Sequence, residues 1–302
     1  MPWIFARCAI TVGLLAVLVW QLGLHSIIAR FHMLALEPLI IVALGLAVQL
    51  LLSAWRWKAL VDYFTPIRVS TADLCRFLGA SHFYGEVMPS TIGGDVVRTA
   101  MLGRLTGFGP AALSVVLDRI TGLAMLLCLM LVLLPLLWWR IGQGSAVFGL
   151  ALISIAGVAA LGAVLLFSGQ TMPSWLPSAA APLPKISAGL RQALFNPMLR
   201  GRVVGYGLLV QLLSVAVFFV LGRALGSRFS FLDCLLLVPP ALLLSALPVS
   251  LSGWGVREGA LAGAFGLIGA PTAEVVAVSI LYGLTSPAIG VVYAVASLLR
   301  RY

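Results

Sequence analysis

Residues 141–184 form a run of 44 positions without one charged side chain. Similar uncharged runs cover 120–139, 203–222 and 275–299. Crossing the hydrocarbon of a bilayer takes a helix of ~20 apolar residues, and several of these runs reach that length unaided. Backbone exposed to lipid must satisfy its own hydrogen bonds, which leaves only helices or a closed barrel. The alternating segments of about ten residues that build a barrel are absent, so the runs predict membrane helices. Composition agrees: of 302 residues, 62% are hydrophobic and 9% charged, against about 25% charged in a soluble domain.

The predicted fold is all-α and integral to the membrane, a single domain over 1–302. Full spans are expected at 8–28, 36–55, 119–137, 144–167, 202–221 and 272–299. The first is too long for a signal-peptide core and lacks a small-residue cleavage site after it. A net charge of +10, from 19 Lys and Arg against 9 Asp and Glu, would suggest nucleic acid in a soluble protein. Here the basic residues flank apolar segments, where they orient helices, and a nucleic-acid role is discarded. Arg56, Lys58, Arg68 and Arg76 then read as a cytoplasmic loop, and 168–201, with Lys185, Arg191 and Arg200, as another. Both termini fall inside. Cys8, Cys75, Cys128 and Cys234 sit in apolar surroundings without CxxC spacing, which suits small buried hydrophobes and predicts neither disulfide nor metal site.

Two stretches do not read as plain spans, and they resemble each other. PSTIGGDVVRTAMLGRLTG (89–107) aligns with PVSLSGWGVREGALAGAFG (248–266) at a shift of 159 residues, with six of 19 positions identical. The shared positions include Pro89/Pro248, Gly94/Gly253 and Arg98/Arg257. Each is preceded by a short helix, 71–87 in one case and 231–247 in the other. A helix, a break and a second short helix predict a re-entrant pair in each half. Six full spans plus two re-entrant pairs then form two inverted repeats, about 8–139 and 144–302. Inverted repeats with broken helices mark transporters, and the breaks mark the binding site.

The residues at the breaks suit an anion. Gly93 and Gly94 allow close backbone approach. Asp95 can cap the next helix, whose first N–H groups lack partners, and such a helix start favours phosphate. Arg98 follows at i+3 from Asp95, with a planar fork that suits bidentate phosphate binding. Gly255, Arg257 and Glu258 repeat the plan. The competing reading is structural: both arginines pair with carboxylates or reach an interface. Asp118 and Arg119, adjacent and so not facing each other, each need a separate partner, which for Asp118 could be Arg98. His82 and Glu86 lie four apart on one helix face, a possible proton relay with Asp118 or simply a polar pair. Asp233 and Glu274 read as helix-end markers. Gly255, Gly259 and Gly263 have spacing that favours close helix packing.

GEVMPSTIGGDVVR, SVVLDRITGL and PVSLSGWGVREGAL together resemble the signature blocks of the flippase-like membrane family that includes the transmembrane region of lysylphosphatidylglycerol synthases. The resemblance spans nearly the whole chain. It implies lipid handling at the bacterial inner membrane, with interest falling on Gly93, Gly94, Asp95, Arg98, Arg119, Gly255, Arg257 and Glu258. Trp254 stands where a smaller residue is expected. The chain ends at Tyr302, without the aminoacyltransferase domain of the synthases, so lysyl-lipid synthesis is not expected of it.

Three functions compete. The first is a lipid translocator that binds an anionic headgroup, phospholipid or polyprenyl-phosphate-linked, in a cavity between the repeats. The second is a non-transporting subunit that presents lipid to a separate synthase or transferase. The third, a membrane-embedded transferase, has no HExxH or GxSxG motif behind it, and no P-loop signals ATP use. No cofactor or metal is expected.

Overall fold

In a bilayer, a helix may be apolar on every side, because its outer face meets lipid and its inner face meets protein. The 29-residue helix α1 (Leu36–Phe64) shows both. Leu36, Ile40, Leu44 and Val48 are exposed, whereas Val42, Leu46, Leu50, Ala54, Trp57 and Val61 are buried. The computed structural model describes residues 11–14, 16–17, 35–87, 93–142, 144–166, 182–246, 250 and 253–299. All elements among them are helical: α2 (Thr71–Val87), α3 (Gly93–Thr106), α4 (Phe108–Ile141), α5 (Ser145–Leu166), α6 (Leu183–Phe195), α7 (Pro197–Ala224), α8 (Phe231–Ser245), α9 (Val256–Gly266) and α10 (Thr272–Leu299).

Among the described residues, five helices are long and apolar enough to cross a membrane: α1, α4, α5, α7 and α10. They match five of the six expected spans. The sixth, 8–28, lies mostly outside the described residues, although 11–14 and 16–17 are helical. Thr71–Val87 and Gly93–Thr106 have 17 and 14 residues, and α8 and α9 have 15 and 11, all below the ~20 a span requires. Pro89, Ser90, Pro248 and Ser252, at the two expected breaks, fall outside the described residues.

Three expectations are corrected. The third span starts at Phe108, not near residue 119, and runs for 34 residues. Gly107, at φ 89°, turns the chain into it, and Pro110 falls in the first turn, where a missing N–H costs nothing. Asp118 is therefore well inside the helix. The basic loop after the second span is likewise helical through Phe64, with Arg56 and Trp57 buried. The segment 168–201 is not all loop, since it contains α6, started by Pro182 and Pro184, and the first residues of α7. Asp233 does mark a helix end: Ser230 accepts from its amide, and its carboxylate accepts from the Ser230 amide at 2.9 Å. Glu274 sits in the first turn of α10.

The chain groups into two units. One comprises Met1–Leu51, Cys75–Val97 and Gln211–Tyr302, the other Leu52–Leu74 and Arg98–Val210. In the second, α4, α5 and α6 pack on one another. Gly157 of α5 brings that helix onto Leu127, whose Cδ2 would lie 2.7 Å from an added Cβ. Ala59, Leu60, Leu117, Leu190, Ala193, Leu199 and Val203 form a buried cluster joining α1, α4, α6 and α7. In the first unit, α9 packs on both α8 and α10, and Leu14 sits against Gly255.

Candidate functional site

A lone charge in a membrane helix is expensive, so its partners define the site. In the second unit, Asp118 of α4 is 3% exposed and holds two guanidinium groups. Arg56 Nε of α1 donates to Oδ1 at 2.9 Å, and Arg98 Nη1 of α3 donates to Oδ2 at 2.8 Å. Each carboxylate oxygen thus serves one arginine. The Arg98 guanidinium lies 5.1 Å from the centre of the Trp57 ring, a cation–π contact. Trp57 in turn donates its Nε1–H to Ser114 Oγ at 3.2 Å, and Ser114 donates to the Ala111 carbonyl at 2.8 Å. The terminal nitrogens of Arg56 pass close to Gly122, where an added Cβ would be 3.1 Å from Nη1. Arg56 reaches Asp118 through Nε and is itself only 8% exposed.

The first unit holds a second buried pair. Glu258 is fully buried and Arg257 6% exposed. Glu258 Oε1 accepts from Arg257 Nη2 at 2.7 Å, from Arg257 Nε at 3.0 Å and from Ser279 Oγ at 2.9 Å. Its other oxygen accepts from the Gly255 amide at 2.6 Å. Adjacent helix residues pair here because the arginine stem is long enough to fold back. Gly255, at φ 82°, adopts the left-handed conformation that glycine favours and starts α9. The anion drawn to this helix start is thus the chain's own Glu258. Trp254, the unexpected large residue, stacks on the Arg257 guanidinium at 4.7 Å from ring centre to Cζ. Gly283 leaves room for that guanidinium, since an added Cβ would run into Arg257 Nη2. Elsewhere in this unit, Gln49 Nε2 donates to Ser214 Oγ at 2.6 Å.

A family model described as the lysylphosphatidylglycerol synthase TM region matches residues 4–293. The chain belongs to this family. It is accordingly a multi-pass membrane protein of a lipid-related family. No curated protein matches the chain.

In this member of the lysylphosphatidylglycerol synthase TM region family, the expected site residues divide between the two units. Arg98 and Asp118 meet in one, Arg257, Glu258 and Gly255 in the other. Gly93 and Gly94 are buried at the start of α3, and Gly94 lies so close to the Ser81 carbonyl that a Cβ would collide with it. Asp95 is the third residue of α3, in its first turn rather than ahead of it, where its charge suits the helix dipole. Arg119 is half-buried and His82 exposed; the Glu86 side chain lies outside the described residues. Arg56 and Trp57 were missed by the sequence reading. Their signal was present: a basic residue between two tryptophans with Leu52 and Leu60 on the same helix face is a pattern for burial, not for a loop.

Proposed function

We propose that this chain binds and translocates a membrane lipid with an anionic, phosphate-bearing headgroup, and that it does so without catalysis. The observation that carries this reading is the buried carboxylate of Asp118 shared by two guanidiniums. A phosphate oxygen accepts from such a fork in the same plane. It can take over Arg98 or engage Arg56 while Asp118 keeps the other arginine, so headgroup entry and exit never strand the carboxylate. Arg257, stacked on Trp254 and tied to Glu258, offers a second cation among short helices of the first unit. The family, named for the membrane region of a lipid synthase, supports a lipid as cargo. The same reading places the chain in the bacterial plasma membrane with both termini cytoplasmic, and takes the short helix pairs as re-entrant.

The test is lipid scrambling in proteoliposomes, with fluorescent anionic, zwitterionic and polyprenyl-phosphate lipids. Wild type should move an anionic lipid, and Arg56→Ala, Arg98→Ala and Arg257→Ala should each slow it. No movement of any lipid, with or without a proton gradient, sinks stand-alone translocation and favours a subunit that presents lipid to a separate enzyme.

A further inference from the structure

The corner where α5 ends and α6 begins carries a pocket of its own. It has a volume of ≈ 850 Å³ and is lined by Gly162 and Leu165 of α5, Arg191, Gln192 and Phe195 of α6, and Asn196. Val147–Leu166 is a span-length apolar stretch, so its end falls at the edge of the hydrocarbon. Helix α6 is docked there by polar bonds onto the last carbonyls of α5: Ser187 Oγ donates to Val164 at 2.6 Å and Arg191 Nε to Leu165 at 2.8 Å. Its inner face is closed, with Ser187, Gly189, Leu190 and Ala193 buried. Its exposed side chains include Lys185, Arg191 and Phe195, the last 65% exposed, and the first turns of α7 add Met198, 86% exposed, with exposed Arg200 and Arg202. Apolar rings and cationic side chains side by side are the composition of a membrane–water interface.

The charge at this corner is one-sided. No acidic residue occurs between Asp118 and Asp233; elsewhere in the unit Asp62 is paired with Lys58 and Asp73 accepts from Ser70 Oγ. The donors are set. Arg191 spends Nε on Leu165, and among the described residues its terminal nitrogens have no acceptor. Gln192 Oε1 accepts from Tyr63 Oη at 3.0 Å and Asn196 Nδ2 at 3.3 Å, so its own NH₂ is what it has to offer a ligand.

We infer that this pocket binds an anionic glycerophospholipid of the surrounding leaflet. The phosphate accepts from the Arg191 fork and the Gln192 amide, and one acyl chain lies in the slot between Gly162, Leu165 and Phe195. The site is separate from the Asp118 centre and does not depend on translocation. It does touch that centre's support, because Gly189 on the inner face of α6 packs against Leu117, the neighbour of Asp118.

An added Cβ at Gly162 meets nothing within 4 Å and Gly162 lines the pocket, so Gly162→Leu puts a side chain into the slot. The experiment is native mass spectrometry of the delipidated full chain, titrated with phosphatidylglycerol, phosphatidylserine or phosphatidylcholine of matched acyl chains. Wild type should bind one copy of either anionic lipid about tenfold more tightly than phosphatidylcholine, the preference expected from charge-assisted hydrogen bonds. Gly162→Leu should lose the bound lipid and Arg191→Gln the preference, each unfolding at the wild-type temperature, whereas Arg200→Gln, outside the pocket, should keep both. Equal binding of all three lipids, retention by Gly162→Leu, or an equal loss in Arg200→Gln would overturn the site. So would displacement of the lipid by glycerol phosphate, which would make it a site for free phosphate. If Arg191→Gln does not fold, Gly162→Leu decides the question alone.

Discussion

Gly283→Ala sets two physical rules against each other. Inside a helix, alanine is favoured over glycine by about 1 kcal/mol. At this position, however, the new Cβ would run into Arg257 Nη2 and lie 2.8 Å from Cζ and 2.9 Å from Trp254 Cη2. Restoring ordinary contacts of about 3.5 Å moves the guanidinium further than its bonds to Glu258, at 2.7 and 3.0 Å, can stretch. Breaking a buried ion pair costs about 3–5 kcal/mol. Glu258 keeps Ser279 and the Gly255 amide, so the low end applies, and about 2 kcal/mol of net destabilisation remains after the propensity gain. The measurement is equilibrium unfolding in mixed micelles of detergent and SDS, followed by tryptophan fluorescence. Gly263→Ala is the control, since Gly263 is exposed with nothing within 4 Å of an added Cβ; it should be neutral or slightly stabilising. In an Arg257→Ala background the Gly283→Ala penalty should vanish. A Gly283→Ala protein as stable as wild type would refute the reasoning.

Asp118→Asn keeps the shape but leaves two guanidiniums on a neutral amide, and should cost about 3–5 kcal/mol in the same unfolding assay. Combining it with Arg98→Gln should be non-additive by more than about 0.5 kcal/mol. Gly94→Ala forces a methyl against the backbone oxygen of Ser81, which cannot swing aside, so about 1–3 kcal/mol should be lost and α2 amides near Ser81 should exchange hydrogen faster. Asp62→Asn removes a partly exposed pair with Lys58 and should change stability by less than about 1 kcal/mol.

The five described spans were legible because their signal is a long uncharged run, and the short helices because Pro and Gly punctuate them. The two misplaced span ends share one cause. Asp118 and Arg56 were each taken as the end of an apolar segment, since a charge ordinarily stops one. Here the two charges bond to each other, and both helices continue past them. Hydropathy along one segment cannot register a partner 62 residues away. Helix α6 was hidden differently: its buried face is short and contains Ser187 and Gly189, so it looks like loop. Its polar bonds run to the carbonyls of α5, which sequence does not display. Of the Gly255, Gly259 and Gly263 spacing, Gly255 is buried against Leu14, whereas Gly259 and Gly263 lie on an exposed face of α9.

Both buried arginine centres share a detail of the receiving helix. Four residues after Asp118 comes Gly122, beside the Arg56 terminal nitrogens, and four after Ser279 comes Gly283, beside those of Arg257. Acceptor and glycine, one turn apart, form a slot as wide as a flat guanidinium. At position 283 arginine and glycine are tightly coupled, because an added Cβ runs into the Arg257 guanidinium and Trp254; at position 122 an added Cβ, 3.1 Å from Arg56 Nη1, asks the arginine to shift by a few tenths of an ångström. Among relatives that retain Arg56 or Arg257, positions 122 and 283 should therefore vary less than their lipid-facing surroundings, and a change at one member of a pair should accompany a change at the other.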